Sequence, residues 1–586
     1  MKAAIYAKLI GALVIFTAIC GLAAALGRTA EVGSDVLWYS VVPPVLAIVL
    51  AFLTRRVLPS LGIAILTGGL LSHIPRAPLN AAAWVEGFKT SAGHITATVT
   101  DSTYLQILAF IPPIFIMIEI LIASGGFRGI IVWLLRWIRG RKSAQAATAL
   151  MGVLCFIDDY TNAIVVGSMM QPITDRFRIS REKLAFLVDA TSAPIAGLAV
   201  ISTWIAFEVG LLGQIGGSLG IGKSGYAMFF DALSFRFYCL LMIAFVFVHI
   251  LLGRDFGPMK TAQERTRKEG LPGAEEEEQT ADSATSDDNP GRAINALVPL
   301  AGLVLFHLTG LWFDGTSTLR AEMQQWQAQS QTATAADMPA MPVDIDTLSP
   351  ASWVYWREVI GHAERTPLVL ACAASFGLTL ALIFSQLFAS VNRRVIIHCF
   401  KRGFRRAMIP FVILILAWSL KNCCDTLRTG EFLATILAGR VPSYLFPPIL
   451  FLVASLTSFA TGTSYGTMAI LMPTAIPIAF AIDGNTYGLT TMISLGAVLD
   501  GAIFGDHCSP ISDTTIMSSI ATSCDLVQHV RTQLPYSLLV AAIALLAAYI
   551  PSSLGLPPTW GLALGILIII AALLALARRS CSDTPS

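Results

Sequence analysis

The sequence predicts an all-α polytopic membrane protein, with about 12 transmembrane segments and two oppositely oriented re-entrant hairpins in an inverted repeat. Three observations carry this expectation. The 586 residues are 55% hydrophobic and only 13% charged, about half the charge of a soluble domain. The basic residues gather in a few short stretches between apolar runs. The same order of apolar, basic and polar-interrupted segments occurs twice.

Apolar runs near the roughly 20 residues that cross a bilayer fall at 9–26, 37–53, 60–74, 104–123, 184–207, 232–252, 292–313, 366–388, 407–420, 489–522, 533–550 and 560–577. The first follows Lys2 and Lys8 and ends in small residues. It reads either as a signal peptide or as an uncleaved first span, and the parity of crossings favours the span. Lys and Arg mark the cytoplasmic side. The marks are Arg55-Arg56, RGIIVWLLRWIRGRK at 128–142, the cluster from Arg393 to Arg406, and Arg578-Arg579. The loops 74–103 and 208–231 are poorer in positive charge and read as external. Threading on these marks places both termini in the cytoplasm, as in a bacterial inner membrane.

Two regions do not fit as simple crossings. Residues 143–173 have cytoplasmic flanks, arms of about 14 residues, too short to span, and the polar tip DDYTN. Residues 445–482 have external flanks, short arms and the tip TSFATGTSYGT. Each reads as a re-entrant hairpin, entering from opposite faces. Each precedes a span interrupted by polar residues and proline, DATSAPIAG at 189–197 and GDHCSPISDTT at 505–515. Asp189, Ser192, Pro194 and Ile195 recur as Asp506, Ser509, Pro510 and Ile511. Phe156 and Pro172 recur as Phe459 and Pro473. An inverted repeat of this kind is the recurring plan of secondary transporters. The implied organisation is an N-terminal span and external loop (1–36), a first membrane repeat (37–253), a disordered cytoplasmic linker (254–291), a second repeat (292–551) with an external loop at 314–365, and a last span with a cytoplasmic tail (552–586).

A broken helix frees backbone groups that lipid cannot satisfy, so it must be buried in protein or line a wet cavity. Four such breaks at mid-depth would form one polar site. Carboxylates, hydroxyls and carbonyls suit a small hard cation or a proton. In CFIDDYTNAIVVG the candidates are Asp158, Asp159, Thr161 and Asn162; one of the two adjacent carboxylates could instead cap a hairpin arm. Asp189, Thr191 and Ser192 either join the site or cap a Pro-broken helix. Thr461, Gly462, Thr463 and Ser464 either bind or, for the glycine, permit the turn. The densest segment holds Asp506, His507, Ser509, Ser512, Asp513 and Thr514. His507 titrates near neutral pH when unperturbed; a neutral buried His bonded to a carboxylate is the alternative. Glu119, Asp500 and Lys421 read as lone charges near spans.

Other classes find no support. The near-equal 39 basic and 37 acidic residues give no nucleic-acid footprint. The ten cysteines lie mostly in apolar runs and read as reduced core residues. There is no Walker loop, HExxH or GxSxG pattern, so neither ATP-driven transport nor hydrolysis is expected. No resident cofactor or metal is expected; Na⁺ and H⁺ are cargo, and the surrounding partner is membrane lipid.

Two blocks carry a family resemblance. CFIDDYTNAIVVGSMMQPITDRFRISREKLAFLVDATSAPIAGLAVISTWIAFEVG and GAIFGDHCSPISDTTIMSSIATSCDLVQHVRTQLPY resemble the signatures of NhaC-type sodium/proton antiporters, in the ion-transporter superfamily. The resemblance implies paired hairpins, homodimers, an elevator-like motion and exchange of external H⁺ for internal Na⁺. Members are also similar to exchangers of small organic anions coupled to Na⁺ and H⁺. A carrier of a carboxylate or amino acid is therefore the rival, favoured by the neutral donors of SFATGTSYGT. The expectation of no Arg or Lys near either hairpin tip weighs against it. A channel is the further rival.

Overall fold

The computed structural model describes residues 38–54, 56–76, 79–135, 137–269, 291–330, 344–429, 432, 442–510 and 512–576. The expected first span at 9–26, the linker beyond 269, the loop residues 331–343 and Arg578-Arg579 lie outside them. The described residues are helical, with no strand among them. Among the described residues, nine helices are long and apolar enough to cross a membrane, or up to ten if one bent pair counts as a span.

Helices α1 (Val42–Thr54) and α2 (Val57–Leu71) precede α3 (Ala81–Thr100), α4 (Ser102–Ala123) and α5 (Gly126–Leu135). The sequence reading places 74–103 in an external loop, yet α3 forms there. Its Ser91, His94 and Thr98 are buried while Trp84, Val85, Phe88 and Ile95 face outward. Average hydropathy misses such a helix, because its polar face meets protein and its apolar face meets the surroundings.

Helices α6 (Arg141–Leu154) and α7 (Asp159–Arg176) form the first hairpin. The interrupted span follows as α8 (Arg181–Ala190), the single turn α9 (Ala193–Ala196) and α10 (Thr203–Leu219). Next come α11 (Gly225–Leu233) and α12 (Phe237–Leu252), bent by 49° at residues 234–236. The linker does not begin at 254: α13 (Gly257–Glu269) buries Met259, Ala262, Gln263 and Thr266 against α8 and the later α22.

The second half begins with α14 (Ile294–Ser330), which runs well into the expected external loop, and α15 (Trp353–Gly361). Helix α16 (Thr366–Ala389) packs against α4 and α14. Helix α17 (Arg393–Thr426) is continuous, so the basic stretch expected to lie separately at the interface extends the following span. The second hairpin is α18 (Phe446–Thr461) and α19 (Ser464–Ile482). With its short lead-in each arm reaches 19 residues, which overturns the expectation of short arms. The second interrupted span is α20 (Leu489–Cys508) and α21 (Asp513–Ala521). It leads to α22 (Leu526–Ile543), a π-helical segment Ala544–Tyr549, the turn α23 (Ile550–Ser553) and α24 (Pro558–Leu576).

The packing is reciprocal. Each hairpin lies against the helix before its own break: α6 and α7 on α8, α18 and α19 on α20. Each second arm also packs against the helix beyond the other break: α7 on α21, and α19 on α10. The four breaks therefore converge. Close approach requires small residues here. A Cβ on Gly505 would lie 2.2 Å from the Ser455 carbonyl oxygen and 2.7 Å from the Phe459 nitrogen. Gly505→Val is expected to force α20 from α18 and cost about 1–3 kcal/mol, as overpacking does. A lower thermal midpoint of the detergent-solubilised protein checks this; an unchanged midpoint contradicts the packing.

Candidate functional site

The first hairpin turns at Asp158, the N-cap of α7. Asp158 Oδ2 accepts from the Thr161 backbone N–H at 3.0 Å and from Thr161 Oγ1 at 2.6 Å. Asp158 Oδ1 accepts from Thr203 Oγ1 at 3.1 Å, and the Thr203 N–H donates to the Ile157 carbonyl at 2.8 Å. The tip is thus stitched to the start of α10. The capping reading holds for Asp158.

Arg406 also reaches the tip. Its Nη2 lies 3.2 Å from Asp158 Oδ2, and its Nη1 lies 2.8 Å from Glu119 Oε1. The expectation of no cationic side chain near a hairpin tip is therefore overturned. Arg406 lies 248 residues from Asp158 in a stretch whose composition marks a cytoplasmic loop, so sequence gave no signal for this pairing. Nor is Glu119 a lone charge. Lys421 pairs with Asp425, and Asp500 pairs with Arg236.

Asp159 differs from its neighbour. It is buried, and neither carboxylate oxygen has a hydrogen-bond partner. Asn162, one turn on, donates from Nδ2 to the Gly152 carbonyl at 2.6 Å and the Thr191 carbonyl at 3.0 Å. Its Oδ1 has no partner. Tyr465, beyond the second hairpin's tip, packs on Trp204 and Phe207 with ring centroids 4.8 Å apart in each case. It lies within electrostatic reach of Asp158 and Asp159.

The second break completes the cluster. Asp506 Oδ2 accepts from Thr514 Oγ1 at 2.9 Å, while buried Asp506 Oδ1 has no partner. Ser512 caps α21 through the Thr515 N–H and lies 2.9 Å from Thr514 Oγ1. Asp513 is exposed at the edge and accepts from the Tyr160 hydroxyl at 3.2 Å. Asp506 is within electrostatic reach of Asp159. The structure thereby brings Asp158, Asp159, Thr161, Asn162, Asp506, Asp513 and Thr514 to one region.

The other predicted residues have mainly structural contacts. Asp189 is saturated by Gln533 Nε2 at 2.7 Å, His529 Nε2 at 3.3 Å and Ser518 Oγ at 3.3 Å. It links the two halves and offers no open oxygen. His507 bonds through Nδ1 to the Tyr238 hydroxyl at 2.9 Å, with Nε2 3.7 Å from Asp189. Thr191, Ser192, Thr461, Ser464 and Ser509 each donate to a backbone carbonyl, of Leu187, Asp189, Thr457, Ala502 and Phe459 respectively. Gly462 ends α18 at φ +67°, a left-handed position that favours glycine. Thr463 caps α19. Sequence reasoning missed Tyr160, Thr203, Trp204, Tyr465 and Arg406; the first four lie within or beside motifs it quoted.

The fold and its convergent helix breaks define a multi-pass membrane transporter. The chain matches the model of the Na⁺/H⁺ antiporter family over residues 195–550 and belongs to that family. An uncharacterized protein of Haemophilus influenzae is 29% identical over 516 residues, 86% of this chain and 88% of its own. The malate-2H⁺/Na⁺-lactate antiporter of Bacillus subtilis is 36% identical over 121 residues, 19% of this chain and 25% of that one. The Na⁺/H⁺ antiporter NhaC of Alkalihalophilus pseudofirmus is 35% identical over 107 residues, 16% of this chain and 22% of that one. The match thus spans about a quarter of the length of these two antiporters. Among solved structures, MtrF of Neisseria gonorrhoeae, described within a class of antimetabolite efflux pumps, aligns with TM-score 0.52 at 13% identity. The alignment covers 81% of this chain and 85% of that one, and is a likeness of fold.

Arg406 bridges Asp158 and Glu119, and Arg402 Nε also lies 3.5 Å from Glu119 Oε2, so two guanidinium groups face the two carboxylates. Arg406→Gln is expected to lower stability, and Asp158→Asn in the same chain to recover part of the loss. Groups in one network couple by about 0.5–3 kcal/mol. Thermal midpoints of the two single variants and the double variant measure this coupling; strict additivity contradicts it.

Proposed function

We propose that this protein is a secondary antiporter exchanging Na⁺ or Li⁺ for H⁺ at carboxylates in broken helices, by alternating access. The observation that carries this reading is Asp159, whose two buried oxygens accept no hydrogen bond of good geometry, with only Trp204 and the Tyr160 backbone beside them as loose donors. A buried ionised carboxylate without a partner is expensive, so it holds a proton or a cation. Asp506 Oδ1 and Asn162 Oδ1 are likewise buried acceptors without partners, a donor set of hard oxygens that suits Na⁺. The hydroxyls whose hydrogens serve backbone carbonyls keep lone pairs for the same purpose. One cation or one proton at the same oxygens gives obligatory exchange.

The finer architecture belongs to the same proposal: about twelve crossings, two re-entrant hairpins in an inverted repeat, cytoplasmic termini, an inner-membrane location and a homodimer. The reciprocal packing of α7 on α21 and α19 on α10 supports the repeat. The domain boundaries at 254–291 and 552 are carried as part of this reading, with α13 moved out of the linker.

A second reading has an observation of its own. The Arg406 guanidinium at the hairpin tip suits a small organic carboxylate, and a relative is named for malate and lactate. The two readings separate in everted vesicles with an acidified lumen and a pH-sensitive dye. Na⁺ or Li⁺, but not K⁺, is expected to dequench the dye. Asp159→Asn and Asp513→Asn are expected to reduce the response to that of vesicles lacking the protein, with folding retained. Wild-type exchange in both variants sinks the site assignment. No response to any cation, with uptake of a labelled carboxylate in a Na⁺ gradient, favours the second reading.

A further inference from the structure

Glu208, Arg236 and Asp500 form a closed cluster apart from the hairpin tips, each fully buried. Arg236 sits at the bend between α11 and α12. Its Nε donates to Asp500 Oδ1 at 2.9 Å. Its Nη1 lies 3.3 and 3.2 Å from the two oxygens of Glu208. Asp500 Oδ2 further accepts from the Tyr238 backbone N–H at 2.6 Å and the Tyr549 hydroxyl at 2.9 Å. Tyr549 ends the π-helical segment.

The charges do not balance. One guanidinium faces two carboxylates, leaving one negative charge in excess. The remaining titratable groups that face the cluster are Cys239, Tyr238, Tyr549 and Tyr465, all neutral in their ordinary forms. None cancels the excess, and an uncompensated buried charge takes up a proton instead. The hydrogen bonds are unequal too. Asp500 receives three donors and is built as the ionised partner. Glu208 receives only the two long contacts from Arg236.

We propose that the Glu208–Arg236–Asp500 triad is a second proton-carrying site, holding one exchangeable proton whose resting position is Glu208. Release breaks the Glu208 O–H bond, passes the proton to a water molecule and leaves the carboxylate against the guanidinium; uptake takes a proton back from water and restores the O–H. Tyr465 lies within electrostatic reach of Glu208 as well as of Asp158 and Asp159. Glu208 lies on α10, the helix that begins at Thr203 beside the first tip. The transport role rests on the antiport reading above; the proton itself does not.

Infrared difference spectroscopy of the full-length protein in lipid, after a pH step, reads protonated carboxyl groups directly. The wild type is expected to lose and regain a carboxylic-acid band that is absent in both Glu208→Gln and Asp500→Asn. Each variant leaves Arg236 with one carboxylate, a neutral pair that needs no extra proton, so each serves as the other's folding control. Asp159→Asn is expected to keep the band. A full wild-type set of pH-sensitive bands in both triad variants overturns the site; the separate band of Asp159 is expected to remain in both and to vanish in Asp159→Asn. In the vesicle assay both triad variants are expected to shift the pH profile of Na⁺-dependent dequenching; an unshifted profile overturns the transport role. Absence of dequenching in the wild type rejects antiport, while the infrared result still decides the triad.

Discussion

The Asn162 side chain holds together the two breaks of the first half. Its single amide group donates to the Gly152 carbonyl in the first hairpin arm and to the Thr191 carbonyl at the end of α8. Both carbonyls lie at helix ends, where no following turn supplies an N–H. Lipid offers no donor, so a broken helix persists only where a side chain does. The second half meets the same constraint differently. Ser458 and Ser464 both donate to the Ala502 carbonyl, Ser509 to Phe459, and the Gln533 amide to His507. These contacts hold the breaks in place, and the carboxylates follow from their positions.

Charge inside the protein is arranged by the same economy. Glu119 and Asp158 share Arg406, and Glu208 and Asp500 share Arg236. Lys183 is buried with Asp255 and His249. Buried ion pairs contribute little net stability against desolvation, but removing one partner is costly. They therefore act as fixed points. Asp159 stands apart because no partner accompanies it. An ion that comes and goes can supply the missing charge, whereas Asp158, one residue away, is held permanently by Thr161, Thr203 and Arg406.

The two halves meet through side chains that belong to different repeats. Tyr160 of the first hairpin donates to Asp513 beyond the second break. Ser518, His529 and Gln533 of the second half enclose Asp189 of the first. Side chains of both halves thus meet around the breaks, which is the physical requirement for a site whose occupancy could govern a motion.

The sequence by itself determined the membrane class, the helical fold, the places where helices break and most of the polar residues gathered there. Proline, glycine and carboxylates inside apolar runs report a break wherever it packs, because the backbone chemistry is local. The same logic located α8, α20 and α21 and the two tips, but not α10 and α11, which form through the stretch 208–231 read as an external loop. Tertiary structure decided the rest. Helix α3 escaped detection because its polar face turns inward, and the second hairpin's arms proved longer than their apolar cores suggested. Whether a carboxylate is open or saturated depends on partners hundreds of residues away: Arg406 for Asp158, Gln533 for Asp189, Arg236 for Asp500. No local pattern encodes those pairings. They exist only once reciprocal packing has brought the two halves into contact.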